Sequence, residues 1–131
     1  MKLTIEQALQ HGIAKHKQGK LQDAERLYQA ILQSQPSHAD ANYNLGLIAV
    51  SLNKVALALP LFKTALEAFP EIEQFWLSYI DALIKENQLE TAESILAKGR
   101  NEGFLGKEFD DLEFQIKQLM ELMELTPAVK H

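Results

Sequence analysis

The side chains in this sequence that could do chemistry are four histidines and a group of carboxylates near the C-terminal end. The histidines are His11, His16, His38 and His131. His11 and His16 are five residues apart, so they diverge around a helix. No histidine has the spacing of a zinc site or a neighbouring nucleophile. We therefore expect no catalytic residue and no enzyme activity in this chain.

The carboxylates fall in two runs. They are Asp110, Asp111 and Glu113, followed by Glu121 and Glu124. Paired carboxylates can bind calcium, but the Asp-x-Asp-x-Asp-Gly spacing of a calcium loop is absent. A glycine-rich phosphate loop is also absent, since Gly103 and Gly106 bracket a helix junction. The runs are typical of a solvated helix face, and we expect no cofactor and no metal ion.

The composition favours a soluble protein with a protein partner. The net charge is −5 and the pI about 5.3, whereas sequence-independent nucleic-acid binding requires a positive surface. The chain has no cysteine, which excludes a disulfide framework and fits a reducing compartment. Charged residues interrupt every apolar stretch before the ~18 residues of a membrane span. We expect a cytoplasmic protein with no membrane partner, and residues 1–12 lack the apolar core of a secretory signal.

Self-comparison reveals a period of 34 residues that occurs three times. Two columns of the repeat hold Ala24, Ala58 and Ala92, and Tyr28, Phe62 and Leu96. Small and large apolar residues at fixed spacing predict a pair of antiparallel helices per period, with the large side chain filling the gap between them. We expect one domain over residues 1–125, with repeats at 5–38, 39–72 and 73–106, a helix at 107–125 and a flexible tail at 126–131.

Residues that favour turns and helix ends agree with these repeat boundaries. Gly19 and Asn53 tolerate positive φ and stand where the first helix of a pair should end. The sixth helix should end irregularly near Gly103. Ser37 is predicted to cap the third helix, and Pro60 predicts a kink inside the fourth.

The second period carries the most complete set of repeated residues. It reads Asn-Tyr-Asn-Leu-Gly-Leu-Ile-Ala over residues 42–49 and continues with Ala58, Phe62, Ala65 and Pro70. This series closely resembles the signature of the tetratricopeptide repeat (TPR) family, whose leading tryptophan is present only in the third period, at Trp76. The resemblance implies an all-α fold, namely an α-α superhelix of three TPR helix pairs plus a C-terminal capping helix. It also implies a protein-interaction scaffold, and we expect a bacterial one.

In this family the first helices of successive pairs line a concave groove that binds peptides. The residues that the resemblance places there are Leu9, Ile13, His16 and Lys17, then Tyr43, Asn44, Leu47 and Ser51, then Leu77, Ser78, Asp81 and Lys85. Much of this face is apolar, so the expected ligand is an amphipathic helix or a hydrophobic segment of another protein. The carboxylate clamp of chaperone-tail receptors is not expected, because only Asn44 matches it.

Residues 107–125 predict an amphipathic helix with one apolar stripe. The stripe consists of Phe109, Leu112, Ile116, Leu119 and Met123. We interpret it as the surface that caps the last repeat, which a solenoid requires. The alternative is a homodimer through the same stripe, with Met120, Leu122 and Leu125 as extra contacts.

Two broader alternatives stay open. The chain is a TPR protein that self-assembles into a dimer or filament, or it is the substrate-recruiting module of a larger enzyme. The second alternative follows from a resemblance to the N-terminal TPR modules of bacterial multidomain proteins, which include glycosyltransferases and sulfotransferases.

Overall fold

The computed structural model describes residues 2–125, and they form seven α-helices and no strand. The helices are α1 (Ile5–Lys17), α2 (Leu21–Ser34), α3 (Ala39–Ser51), α4 (Val55–Ala68), α5 (Glu73–Lys85), α6 (Leu89–Asn101) and α7 (Lys107–Leu125). Three helix pairs followed by a seventh helix confirm the predicted all-α class. The predicted tail at 126–131 lies outside the described residues.

Packing divides the chain into two compact units, the first ending at Phe75 and the second beginning at Trp76. In the first unit, α1 packs on α2, α2 on α3 and α3 on α4, and α1 also touches α3. In the second unit, α6 packs on α7. The expected single domain over residues 1–125 stays a prediction.

The turn inside each helix pair has the same backbone conformation. Gly19, Asn53 and Asn87 occupy equivalent positions 34 residues apart, with φ of +78°, +60° and +59°. Glycine and asparagine are the residues that adopt this left-handed conformation most readily. Gly103 follows α6 with φ +106°, so that helix ends where the sequence predicts.

Glycine on the first helix of a pair faces an aromatic ring on the second. A β-carbon added to Gly12 would lie 2.6 Å from Cε1 of Tyr28, and one added to Gly46 would lie 2.5 Å from Cε1 of Phe62. Both rings are fully buried. The predicted close approach of the two helices is thus confirmed in the first two pairs.

The same glycine–aromatic contact recurs at the end of the chain, between different elements. A β-carbon added to Gly99 on α6 would lie 2.6 Å from Cε2 of Phe109 on α7. In the third period itself, Ile80 and Leu96 occupy the glycine and aromatic positions, and both are buried. In the second unit, a glycine–aromatic contact therefore joins α6 to α7.

The caps differ in one place from the prediction. Ser37 does not cap α3, because the N-cap is His38, whose Nδ1 accepts a hydrogen bond from the Ala41 amide at 3.1 Å. The imidazole must be in a tautomer with an unprotonated Nδ1 to accept this bond.

α4 continues from Val55 to Ala68 without interruption at Pro60. The Thr64 hydroxyl donates to the Pro60 carbonyl at 2.9 Å.

Candidate protein-binding surface

On α1, the predicted groove residues differ in how much surface they expose. Leu9 is 5% exposed and belongs to the hydrophobic core that surrounds Tyr28, so it offers almost nothing to a ligand. Ile13 is half-buried and packs against the same core. His16 is half-buried with its ring edge-on to Tyr28, at 6.4 Å between centroids, and Lys17 is exposed. The accessible part of the predicted α1 face is therefore Ile13, His16 and Lys17.

On α3, an aromatic cluster fixes the most prominent groove residue. The Tyr43 ring lies 4.7 Å from the Phe75 ring and 5.5 Å from the Phe62 ring, measured between centroids. Tyr43 nevertheless keeps part of its surface exposed, as does Leu47 one helical turn further on. The cluster restricts the rotamer of Tyr43, so little side-chain entropy remains to be lost on binding.

The polar members of the α3 face bond to their own helix. The Asn44 amide donates from Nδ2 to the Asp40 carbonyl at 2.8 Å, and the Ser51 hydroxyl donates to the Ile48 carbonyl at 2.7 Å. The Asn44 Oδ1 atom and the Ser51 hydroxyl oxygen still have lone pairs for a ligand. These residues supply acceptors beside Tyr43 and Leu47.

The charge on this surface is concentrated at the C-terminal end of α1. Lys15, His16 and Lys17 form the last turn, where cations complement the partial negative charge of the helix terminus. Lys17 is exposed and forms no ion pair within residues 2–125. The first unit therefore presents apolar groups with a basic group at one end.

The four predicted groove residues on α5 lie in the second unit. Leu77, Ser78 and Asp81 are half-buried and Lys85 is exposed. Asp81 and Lys85 form an ion pair of 2.9 Å one turn apart. Half-exposed pairs of this kind contribute little to stability, so Lys85 and Asp81 could exchange partners at low cost.

The apolar stripe of α7 is largely buried by packing within the protein. Phe109 and Ile116 are fully buried, Leu112 and Leu119 are half-buried, and Met123 is 38% exposed. This supports the capping role and removes Phe109 and Ile116 from the predicted homodimer surface, because a partner cannot reach them. Leu112, Leu119 and Met123 keep exposed surface, and the alternative of a homodimer through this stripe stays a prediction.

One arginine on α6 contacts three residues of α7, and the sequence analysis did not predict these contacts. Arg100 pairs with Asp110 at 2.8 Å and with Glu113 at 3.3 Å, and its guanidinium lies 5.9 Å from the Phe109 ring centroid. The hydrogen bond to Asp110, together with the two carboxylate charges, raises the pKa of Arg100. The residues are ten and thirteen positions apart, across a turn, so no helical spacing in the sequence reveals the contact.

The histidines and carboxylates do not converge. Within residues 2–125, no three histidine, aspartate or glutamate side chains come together as a metal site requires. His38 caps α3 and His16 packs on Tyr28, while His131 lies outside the described residues. None of the helices in that range is both long enough and apolar enough to cross a membrane.

Comparison with protein families matches two models described as tetratricopeptide repeat, one over residues 9–71 and the other over residues 49–112. The chain belongs to the tetratricopeptide repeat family. The two matches together reach from α1 into α7 and cover the three predicted helix pairs except for residues 5–8. The resemblance read from the sequence is confirmed.

Several solved structures share this fold. A mutant of MamA aligns over 96% of this chain and 73% of its own, with 21% identity and a TM-score of 0.78. The type III secretion chaperone SycD of Yersinia enterocolitica, in complex with a peptide of the translocator YopD, aligns over 96% of both chains with 20% identity and a TM-score of 0.71. PilF of Pseudomonas aeruginosa aligns over 90% of this chain and 54% of its own, with 19% identity and a TM-score of 0.74.

At these identities the likeness extends to the fold alone. No curated protein sequence matches this chain. The resemblance to N-terminal modules of larger bacterial enzymes, together with the predicted recruiting role, stays a prediction.

Proposed function

We propose that this chain is a non-catalytic interaction scaffold that binds a peptide or helical segment of another protein along α1 and α3. The observation that carries the proposal is the pair Tyr43 and Leu47, which lie one turn apart on α3 and remain partly exposed although both are large and apolar. Rigid aromatic anchors of this kind dominate the binding energy of many interfaces. α1 touches α3, and it contributes Ile13 and Lys17, also one turn apart.

The apolar and basic groups of this surface indicate which kind of ligand it would bind. An apolar residue at every third or fourth position of an amphipathic helix would cover Ile13, Tyr43 and Leu47, at roughly 25 cal/mol per Å² of apolar area buried. Lys17 at one end favours a carboxylate at the matching end of the ligand. SycD, whose solved complex holds a translocator peptide, has the same fold and supports peptide binding as the mode.

The predicted α5 residues Leu77, Ser78, Asp81 and Lys85 belong to the same proposal, as ligand contacts contributed by the second unit. Leu77 would add an apolar contact. The ion pair of Asp81 with Lys85 would have to open for either side chain to bind a ligand.

The test selects ligands from a library of short peptides that includes acidic amphipathic helices, then measures affinity by fluorescence anisotropy. We expect Leu47→Asp to weaken binding by more than about tenfold, because a carboxylate would be desolvated against an apolar ligand. Lys17→Glu should weaken acidic ligands and leave neutral ones unchanged. The matched control is Leu57→Asp, which changes a more exposed leucine on α4 of the same unit.

Circular dichroism of each variant verifies that the helices are intact. If the selected peptides bind Leu47→Asp and Lys17→Glu as tightly as the parent, the binding surface is not on α1 and α3. If Leu57→Asp alone weakens binding, the ligand occupies the outer face of α4 instead.

A further inference from the structure

The outer face of α4 is apolar in its first half, unlike the outer faces of α2 and α6. Leu57 is 60% exposed, Leu52 in the preceding turn is 45% exposed, and Ala56 and Pro60 are exposed. The positions equivalent to Ala56, Leu57 and Pro60 are Gln22, Asp23 and Arg26 on α2, and Glu90, Thr91 and Ser94 on α6. Isolated exposed leucines are ordinary, but a contiguous apolar face indicates an interaction surface.

The outer face of α7 is also partly apolar. Phe114 is 63% exposed and Leu122 is 57% exposed, on the side of the helix opposite Phe109 and Ile116. A helix that only caps a repeat array needs a polar outer face. On this face, towards the helix N-terminus, Lys107 and Asp111 form an exposed ion pair of 2.8 Å.

The two faces have the same residue spacing when one is read in reverse. Positions 52, 56, 60, 63 and 67 advance in steps of 4, 4, 3 and 4, and so do positions 122, 118, 114, 111 and 107. Within α4 and α7, steps of three and four keep residues on one side of the helix, while Leu52 precedes α4 as the C-cap of α3. The antiparallel alignment pairs Leu52 with Leu122, Ala56 with Gln118, Pro60 with Phe114, Lys63 with Asp111 and Glu67 with Lys107.

All ten side chains in this alignment are exposed. At one end, Leu52 meets Leu122 and Pro60 meets Phe114, with Ala56 against Gln118 between them. At the other end, each charge meets its opposite. Lys63 and Glu67 form no ion pair within residues 2–125. Docking would extend the pair of Lys107 with Asp111 into a network of four alternating charges, and such complementarity fixes the register of an interface.

We propose that the chain self-associates by packing α7 of one copy antiparallel on α4 of a second copy. The occupant is a second copy because both halves of the complementary pattern belong to this sequence. The contact joins two different surfaces, so it closes into a ring or dimer, or continues as a filament, according to the rotation between copies. A single helix-on-helix contact is smaller than the ~1,200 Å² of a standard interface, so the association is weak and depends strongly on concentration.

Sedimentation equilibrium from micromolar to millimolar protein at low salt tests the proposal on the full chain. The parent, Lys63→Glu, Asp111→Lys and an equimolar mixture of the two variants are compared. Each variant alone faces like charges across the contact. In the mixture, the glutamate on α4 of one variant faces the lysine on α7 of the other, and the opposite contact is the parental pair. Lys98→Glu is the control, since it makes the same charge change at an exposed position on α6, a helix that carries neither face.

We expect the parent mass to rise above 14.8 kDa with concentration, and each single variant to lower the association constant at least about tenfold. The mixture should recover the parent's association, and Lys98→Glu should behave like the parent. A parent that stays monomeric throughout overturns the proposal, as does unchanged association in both variants or a mixture that fails to recover. Leu47→Asp should self-associate normally, which separates this contact from the peptide surface on α1 and α3.

Discussion

Replacing Gly46 with alanine tests how the helix pairs are packed. The new β-carbon would lie 2.5 Å from Cε1 and 2.7 Å from Cδ1 of Phe62, whereas carbon atoms in contact are normally 3.5–4.0 Å apart. The ring must therefore retreat by about 1 Å. It has little room, because Phe62 is 1% exposed and its ring lies 5.5 Å from that of Tyr43.

The expected magnitude is the difference between two effects. Overpacking a core costs roughly 1–3 kcal/mol, and alanine is favoured over glycine in a helix by about 1 kcal/mol. Gly46→Ala should therefore lower the free energy of unfolding by up to about 2 kcal/mol. Adding Phe62→Leu should recover part of this loss, because the third period already combines a buried Ile80 with a buried Leu96 at these two positions.

The assay is urea unfolding followed by far-ultraviolet circular dichroism, with Trp76 fluorescence as a separate report on the second unit. The coupling free energy between Gly46→Ala and Phe62→Leu should be about 1 kcal/mol or more in the recovering direction. Gly19→Ala is the control, since no atom lies within 4 Å of its added β-carbon and only the backbone strain at φ +78° changes. Gly46→Ala unfolding above the parent's urea concentration, or purely additive effects with Phe62→Leu, would refute the packing argument.

Two further substitutions test buried polar groups and caps by the same unfolding assay. The Tyr28 hydroxyl is buried with no hydrogen-bond partner within residues 2–125. Tyr28→Phe should therefore raise the free energy of unfolding by about 1 kcal/mol. An unchanged free energy of unfolding would indicate that the hydroxyl has a hydrogen-bond partner. Burial raises the pKa of Tyr28 from 10.0 to about 12, so the unfolded state loses this proton first and the parent loses stability as pH rises from 10 to 12. Tyr28→Phe should lack that contribution, and equal pH dependence in both proteins would contradict the burial. His38→Ala should lower the free energy of unfolding by about 1 kcal/mol, because it removes the N-cap acceptor of α3. His38→Asn keeps a capping acceptor, and Ser37→Ala should leave the free energy of unfolding unchanged. A loss of stability in Ser37→Ala instead would contradict the assigned cap.

The two proposed binding surfaces lie on different helices. The peptide surface depends on Tyr43 and Leu47 of α3, whereas self-association depends on the outer faces of α4 and α7. Substitutions at Leu47 and Lys63 should therefore separate the two activities. A chain in which both changed together would indicate a single shared site.

The sequence determined the helix pairs because their signals are local. Glycine and asparagine adopt a positive φ most readily, so Gly19, Asn53 and Asn87 indicate where each pair turns. Gly12 and Gly46 stand 16 residues before Tyr28 and Phe62, which fixes the register of one helix on the next. Constraints of this kind act over one period and repeat, so the sequence alone defines them.

Only the tertiary structure decided which side chains remain available for binding. Leu9 and Ile13 share a face of α1, yet Leu9 is buried and Ile13 is half-buried, because the depth of each depends on neighbours from other helices. Phe109 packs on Gly99 and under Arg100, contacts that span a turn and have no periodic signature. The hydrophobic pattern specifies which residues are apolar, but burial depends on the side chains that other helices place around them. The exposed apolar faces of α4 and α7 can therefore be identified only from the tertiary structure.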